Sequence, residues 1–288
     1  MIKYFQLLRV KQYTKNLFIF LPLFFALKIF EGELLIKACI SFAGFCLVAS
    51  AVYIINDYRD RFEDAKHPTK KNRPFASGKI SSARALLIMV SILFVGLLIE
   101  MYVGLNVFIL ATLYFFMNIA YSFGLKKIAL VDVFIIALGF TMRVFVGGSA
   151  TGVVIQPWIV VMTFLLALFL ALAKRRDDIV VGEGEGKQMR KSMDGYNLKL
   201  LDSSMIIMAS VIVVAYLSYT LSPDIEGKFK TTDLYYTVFF VLFGIMRYMQ
   251  IAFVEKNSGS PSDILLKDRL IQTAILGWIA LFGILIYF

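Results

Sequence analysis

The chain has 288 residues, 59% of them apolar and 17% charged, with a mean hydropathy of +0.77. Soluble domains carry about 45–50% apolar and about 25% charged residues, so a water-soluble globular domain is excluded. The net charge of +10 would raise nucleic acid as a partner in a soluble chain. Here the cations lie between long apolar runs, which points to anionic lipid and phosphorylated substrates and not to nucleic acid.

In chain order, residues 1–17 form an amphipathic basic segment without a small-residue cleavage site, so no cleaved signal is expected. Nine helices follow, over 16–30, 33–56, 82–101, 104–122, 129–147, 156–174, 203–221, 233–254 and 268–287. Each approaches the ~20 residues that cross a bilayer as a helix. Their continuous apolarity lacks the alternation of a lumen-facing strand, which disfavours a barrel. The expected fold is all-α, a polytopic bundle forming a single integral membrane domain over residues 1–288. Cys39 and Cys46 share one apolar run and read as small apolar side chains rather than a disulfide.

The linkers alternate. Segments 30–33, 100–104, 147–157 and 222–232 are short and poor in cations. Apart from Lys28, Lys37, Arg143, Lys228, Lys230 and Arg247, every Lys and Arg falls on the other side. Short loops rich in Lys and Arg stay in the cytoplasm. The N-terminus is therefore expected inside and the C-terminus outside, with loops 57–81 and 174–202 cytoplasmic. A multi-pass protein of the cell (inner) membrane is the expected localisation. Loops are where sites concentrate, so function is sought in these two.

In the first loop, Asn56, Asp60 and Asp64 recur every four residues with Asp57 beside them, forming one stripe on a continuing helix. Hard oxygen ligands on one face suit Mg²⁺, which favours carboxylates, water and phosphate oxygens. A carboxylate repels a diphosphate, and a bridging metal reverses that sign. Lys70, Lys71, Arg73 and Lys79 follow, and Arg73 can bind phosphate bidentately. His67 is the single histidine, and its place before Pro68 favours a structural or exposed role over general base.

In the second loop, Lys174-Arg175-Arg176-Asp177-Asp178 closes the sixth span, with Arg190, Lys191, Asp194, Tyr196 and Asn197 beyond it. These cations either clamp phosphate or anchor the helix end against headgroups. No carboxylate follows Asp177 or Asp178 four residues on, so a second acidic stripe is incomplete. Asn118, Tyr121 and Ser122, just before Lys126, and Asp132 lie at a depth to line a cytoplasmic cavity. Arg143 lies about 16 Å beyond Asp132 and needs another partner, protein or lipid phosphate.

These motifs resemble the UbiA superfamily of intramembrane prenyltransferases. The resemblance rests on Asn56-Asp57-x-x-Asp60-x-x-x-Asp64, on Asn118-x-x-Tyr121-Ser122-x-x-Leu125-Lys126, and on nine spans with polar loops. It looks closest to the decaprenyl-phosphate phosphoribosyltransferase branch, through Lys11-Gln12-Tyr13-Thr14-Lys15-Asn16, the His67-Pro68 to Gly78 run, Lys174-Arg175-Arg176 and Asp263-x-Leu265-Leu266-x-Asp268-Arg269. The resemblance implies Mg²⁺-dependent transfer of 5-phosphoribose from phosphoribosyl pyrophosphate to a polyprenyl phosphate, releasing pyrophosphate.

Carried over, it implies catalytic carboxylates Asp57, Asp60 and Asp64, and metal ligands Asn56, Asp60 and Asp64. Substrate contacts are Lys15, Asn16, Lys70, Arg73, Asn118, Tyr121, Lys126, Lys174, Arg175, Arg190 and Tyr196. The second loop lacks the Asp-x-x-x-Asp stripe usual in the superfamily, which suits a donor bearing an extra phosphate. Two alternatives stay open: a prenyl transfer from a prenyl diphosphate to an aromatic or quinone-precursor acceptor, and, with no broken midplane helix to support it, a lipid transporter. A homo-oligomer is compatible with the sequence.

Overall fold

The structure, a computed structural model, describes residues 2–65, 70–185, 195–255 and 261–287. Regular structure among them is entirely helical. A short α1 (Ile2–Leu8) leads into a 3-10 helix, Val10–Phe20, and then α2 (Leu21–Phe25). The long elements are α3 (Gly32–Asp64), α4 (Ser82–Val103), α5 (Leu105–Phe123), α6 (Val131–Thr151), α7 (Pro157–Glu185) and α8 (Leu198–Thr220). The short α9 (Pro223–Phe229), α10 (Val238–Phe253), the short α11 (Pro261–Lys267) and α12 (Arg269–Tyr287) complete the chain.

Eight of these helices are long and apolar enough to cross a bilayer, and the chain is a multi-pass membrane protein. The expected first span, 16–30, is not one α-helix: a 3-10 segment gives way to five residues of α-helix at Pro22. Tertiary contact overrides helix propensity there. A Cβ on Gly147 of α6 would lie 1.9 Å from the Ile19 carbonyl oxygen, so the 3-10 backbone seats directly on a glycine. The second span is longer than expected. The 33 residues of α3 rise about 50 Å against a hydrocarbon core of ~30 Å. It is thus about 20 Å longer than an upright crossing requires, and its final turns carry Asn56 to Asp64.

The described contacts fall into two compact units, Met1–Lys126 with Leu138–Ile159, and Lys127–Ala137 with Val160–Phe288. In the first, α3 packs against α4 and α5 around Phe45, Val48, Val52, Ala111 and Tyr114. A Cβ on Gly96 of α4 would meet the Gly44 carbonyl oxygen at 2.9 Å, so small residues bring these two backbones together. Beside that contact the buried Ser41 hydroxyl donates to Glu100 Oε2 at 2.8 Å. Glu100 is thus buried between helices, where a surface position would leave it hydrated.

In the second unit, α10 packs on both α12 and α8. Trp278 donates to the Tyr216 hydroxyl at 2.6 Å and stacks on Phe282 with centroids 5.0 Å apart. Arg247 of α10 reaches Asp268, immediately before α12, at 2.7 Å.

Candidate active site

The described part of the segment leading into α4, from 71 to 81, is fixed by its apolar side chains. Phe75 and Ile80 bury against Leu7, Ile54 and Ala85, and the Phe75 ring meets Tyr58 edge-on at 5.8 Å. Gly78 adopts φ +67, a left-handed turn that favours glycine, and donates to the Phe75 carbonyl at 3.1 Å. This anchored turn holds Arg73 over the end of α3. Arg73 Nη1 lies 3.1 Å from Asp57 Oδ1 and 2.6 Å from Asp64 Oδ2. Asp57 and Asp64 are seven residues apart, nearly two helical turns, and so share one side of α3.

Asn56 and Asp60 form the neighbouring row. Lys126 pairs with Asp60 Oδ1 and reaches Asn56 Oδ1 at 3.5 Å, while Ser122 donates to the same Asn56 oxygen at 3.4 Å. Lys126 follows the end of α5 in a short 3-10 turn, Leu125–Lys127. The remaining cation is one that sequence reasoning missed. Arg9 forks Asp57, with Nε 3.1 Å from Oδ2 and Nη2 on Oδ1, and its guanidinium lies 5.2 Å from the Tyr53 ring centroid. It sits at φ 52 between α1 and the 3-10 helix. Its only signal was membership of a basic amphipathic segment, which does not distinguish it from Lys11 or Lys15.

Asp57, Asp60 and Asp64 are all buried, and among the described residues they meet the cations Arg9, Arg73 and Lys126. The expected single stripe is redistributed: Asn56 and Asp60 converge on Lys126, and Asp64 joins Asp57 at Arg73. Among the described residues no three Asp, Glu, His or Cys side chains converge on one point. A pair of hard oxygens still fits Mg²⁺, which binds through one or two carboxylates and completes its shell with water and phosphate oxygens. Asn56 Oδ1 and Asp60 Oδ1 already converge on a cationic head, which is the observation that supports the fit.

Asn16 is buried and engaged within the protein. Its Oδ1 accepts from Arg143 Nε at 2.8 Å and its amide reaches Cys46 Sγ at 3.1 Å. Arg143 also donates to the Gly139 carbonyl at 2.6 Å and the Tyr114 hydroxyl at 3.0 Å. Arg143 is therefore held by protein oxygens, not exposed toward a lipid phosphate. Asn118 donates to the Tyr114 carbonyl at 2.8 Å. Lys15 and Tyr121 are half-buried.

The second unit has its own polar cluster. Arg175 Nε donates to Asp132 Oδ2 at 2.6 Å and Nη1 to Asp178 at 2.7 Å. Tyr196 donates to Asp132 Oδ1 at 2.6 Å and accepts from the Leu130 amide at 2.7 Å, stabilising that residue's φ of 66. Burial, with Asp132 taking its hydrogen bond, pushes the Tyr196 hydroxyl above its ordinary value. Arg176 pairs with Asp202 at 2.6 Å, and Lys174 is exposed. The run Lys174–Asp178 does not end its helix, because α7 continues to Glu185. Arg175 and Tyr196 thus position each other around Asp132. Arg190, His67 and the Lys70 side chain lie outside the described residues.

The UbiA prenyltransferase family profile matches residues 17–271. Decaprenyl-phosphate phosphoribosyltransferase of Mycolicibacterium smegmatis is 33% identical over 258 residues, covering 88% of this chain and 81% of that protein. The protein of the same name from Corynebacterium glutamicum is 30% identical over 277 residues, covering 94% and 83%. Among solved structures, a UbiA homolog from Archaeoglobus fulgidus bound to DMAPP and Mg²⁺ superposes with a TM-score of 0.73 at 19% identity, covering 99% of each chain. That likeness shows the fold. With the profile spanning most of the sequence and relatives at this identity over most of both lengths, the chain belongs to the UbiA prenyltransferase family.

Proposed function

We propose that this membrane transferase moves 5-phosphoribose from phosphoribosyl pyrophosphate to a phosphate oxygen of a polyprenyl phosphate, releasing pyrophosphate. The observation that carries the reading is the cluster at the end of α3, where three buried carboxylates are interleaved with Arg9, Arg73 and Lys126. Such a cluster can accept a metal on its oxygens and turn its cations to phosphates without stranding a buried charge. The relatives named for this activity support the same substrate class.

In this reading Asn56 and Asp60 hold Mg²⁺, with Asp64 and Asp57 completing the acidic face. The metal, when bound, neutralises diphosphate oxygens and stabilises charge on the departing pyrophosphate. Arg73 and Lys126 orient the diphosphate, and Lys15, Lys70, Lys174 and Arg190 are further phosphate contacts. The bond from ribose C1 to the diphosphate oxygen breaks, its electron pair leaving with pyrophosphate, while a lipid phosphate oxygen bonds to C1. That nucleophile is already anionic, so no general base is required.

The same reading makes residues 1–288 one membrane domain of the inner membrane, with the N-terminus and the site cytoplasmic and the donor arriving from water. The 3-10 segment and α2 together rise about 30 Å, enough for a ninth crossing. Purified protein given polyprenyl phosphate, Mg²⁺ and labelled phosphoribosyl pyrophosphate is expected to label the lipid. Label absent from the lipid, with prenyl transfer from a prenyl diphosphate to an aromatic acid instead, would reverse the donor and acceptor roles.

A further inference from the structure

We infer that Lys126 is a resident cation: its ammonium keeps the place between Asn56 and Asp60 that the divalent metal takes, and metal binding displaces it. The inference rests on the proposed Mg²⁺ reading and concerns what this lysine does before the metal arrives.

Lys126 is 8% exposed, and a buried ammonium requires a counter-charge. It finds one in Asp60 Oδ1 and a neutral oxygen in Asn56 Oδ1, 3.5 Å away. These two oxygens converge on one cationic head. An ammonium and a divalent ion cannot share them, since each needs the same lone pairs and the two repel at such range. Ser122, donating to Asn56 at 3.4 Å, aims that amide oxygen toward the shared point whichever cation is present.

Arg73 is a contrasting case. Its Nη1 bridges Asp57 and Asp64, and its turn is locked by Phe75 and Ile80. Lysine carries a compact charge on four rotatable carbons and can swing away from its oxygens while its backbone stays in place. Once displaced it needs an anion, and a metal-bound diphosphate supplies one. Metal and diphosphate therefore bind cooperatively: metal alone takes the ammonium's oxygens and offers it no anion in return, whereas metal with diphosphate exchanges one partner for another.

The test is a Mn²⁺ titration by electron paramagnetic resonance on the full chain in lipid nanodiscs, with and without inorganic pyrophosphate. Wild type is expected to bind Mn²⁺ weakly alone and much more tightly with pyrophosphate. Lys126→Met, and Lys126→Gln should Met not fold, are expected to bind Mn²⁺ alone at least 10-fold more tightly and to lose most of the pyrophosphate enhancement. Lys126→Arg, which keeps the charge, is expected to stay within a few-fold of wild type. Asp60→Asn should abolish binding in every background. Unchanged or weaker Mn²⁺ affinity in both neutral variants, with Asp60→Asn still abolishing it, would overturn the displacement while sparing the metal reading. No Mn²⁺ binding to wild type or any variant, with or without pyrophosphate, would overturn both.

Discussion

Arg9 and Asp57, 48 residues apart, are joined by a guanidinium–carboxylate fork at the cytoplasm-facing end proposed for α3. The fork ties the N-terminal segment to the acidic cluster, and the Ser50 hydroxyl, 2.9 Å from the Leu8 carbonyl and from the Tyr13 hydroxyl, fastens the same segment nearly two turns deeper. Asp57 is almost wholly buried, so removing Arg9 leaves it with Arg73 as its cationic partner among the described residues. Arg9→Ala is expected to lower stability by about 2 kcal/mol, within the range for hydrogen bonds to charged groups. It should also reduce kcat/KM by about 10–100-fold, as loss of a group orienting site ligands commonly does. Arg9→Lys should recover part of the stability and little of the activity, because a point charge cannot reproduce the fork. Thermal unfolding in detergent beside the transfer assay measures both, and equal activity in Arg9→Ala would remove Arg9 from the site.

The Asp132 cluster separates a charge from a hydrogen bond. Asp132 is fully buried, and Arg175 is its cationic partner at 2.6 Å. Arg175→Met strands that carboxylate and should destabilise by about 3–5 kcal/mol, whereas Tyr196→Phe removes one hydrogen bond and should cost about 1 kcal/mol. Adding Asp132→Asn to Arg175→Met is expected to restore much of the loss. Burial and the Asp132 contact hold Tyr196 protonated above the ordinary tyrosine range, so the stability gap between wild type and Tyr196→Phe should be flat from pH 6 to 9. A gap that changes across that range would show that Tyr196 ionises. Denaturation of each variant at several pH values decides it.

Much of this was legible in the sequence because both the bilayer and the α-helix impose periods that residues must obey. Uncharged runs marked the long helices, and the four-residue spacing of Asn56, Asp60 and Asp64 located the end of α3. What spacing along one helix cannot supply is the partner across space. It gave no means of seeing that Asp64 and Asp57 meet one arginine while Asn56 and Asp60 meet a lysine. Nor could it find Arg9, whose charge is indistinguishable from an ordinary positive-inside residue until its left-handed backbone turns it onto Asp57. The 3-10 segment was missed for a related reason: its apolar composition reads as α-helix, and only the close seat of Ile19 on Gly147 selects the tighter winding. Helix ends at Lys174 were misjudged because charge was taken as the end of a span, yet α7 runs on beyond its apolar part to Glu185.

Asp268 couples α10 to α12 through Arg247, which also reaches Glu255 at 2.7 Å. The Arg247 hydrogen bond, joined by the Ile271 amide at 2.9 Å, holds the Asp268 carboxyl below its ordinary value. A carboxylate with a depressed folded value contributes stability that is present above its unfolded value near pH 3.9 and is lost as pH falls through the folded value. Asp268→Asn is therefore expected to be less stable than wild type at pH 6–7, with the two melting temperatures converging below about pH 4. A difference that persists unchanged well below pH 4 would mean that the contact is not ionic in origin.

Asn16 and Arg143 make the sharpest test of how a charge is kept inside the first unit. Arg143 is almost wholly buried, and its hydrogen-bond partners among the described residues are neutral: Asn16 Oδ1, the Gly139 carbonyl and the Tyr114 hydroxyl. The rings of Phe45, Tyr114 and Phe140 lie 5.0–5.3 Å from its guanidinium carbon and add cation–π attraction. Because these partners are neutral, Arg143→Met strands no paired carboxylate and should cost little, about 1 kcal/mol or less. Asn16→Leu instead takes an acceptor from a charge that remains and should cost about 2–3 kcal/mol. The double variant is then expected to be more stable than Asn16→Leu alone, a coupling of about 1–2 kcal/mol in a double-mutant cycle read by thermal unfolding. Simple addition of the two single losses would mean that Asn16 and Arg143 contribute independently, and that the guanidinium finds its compensation from some other group.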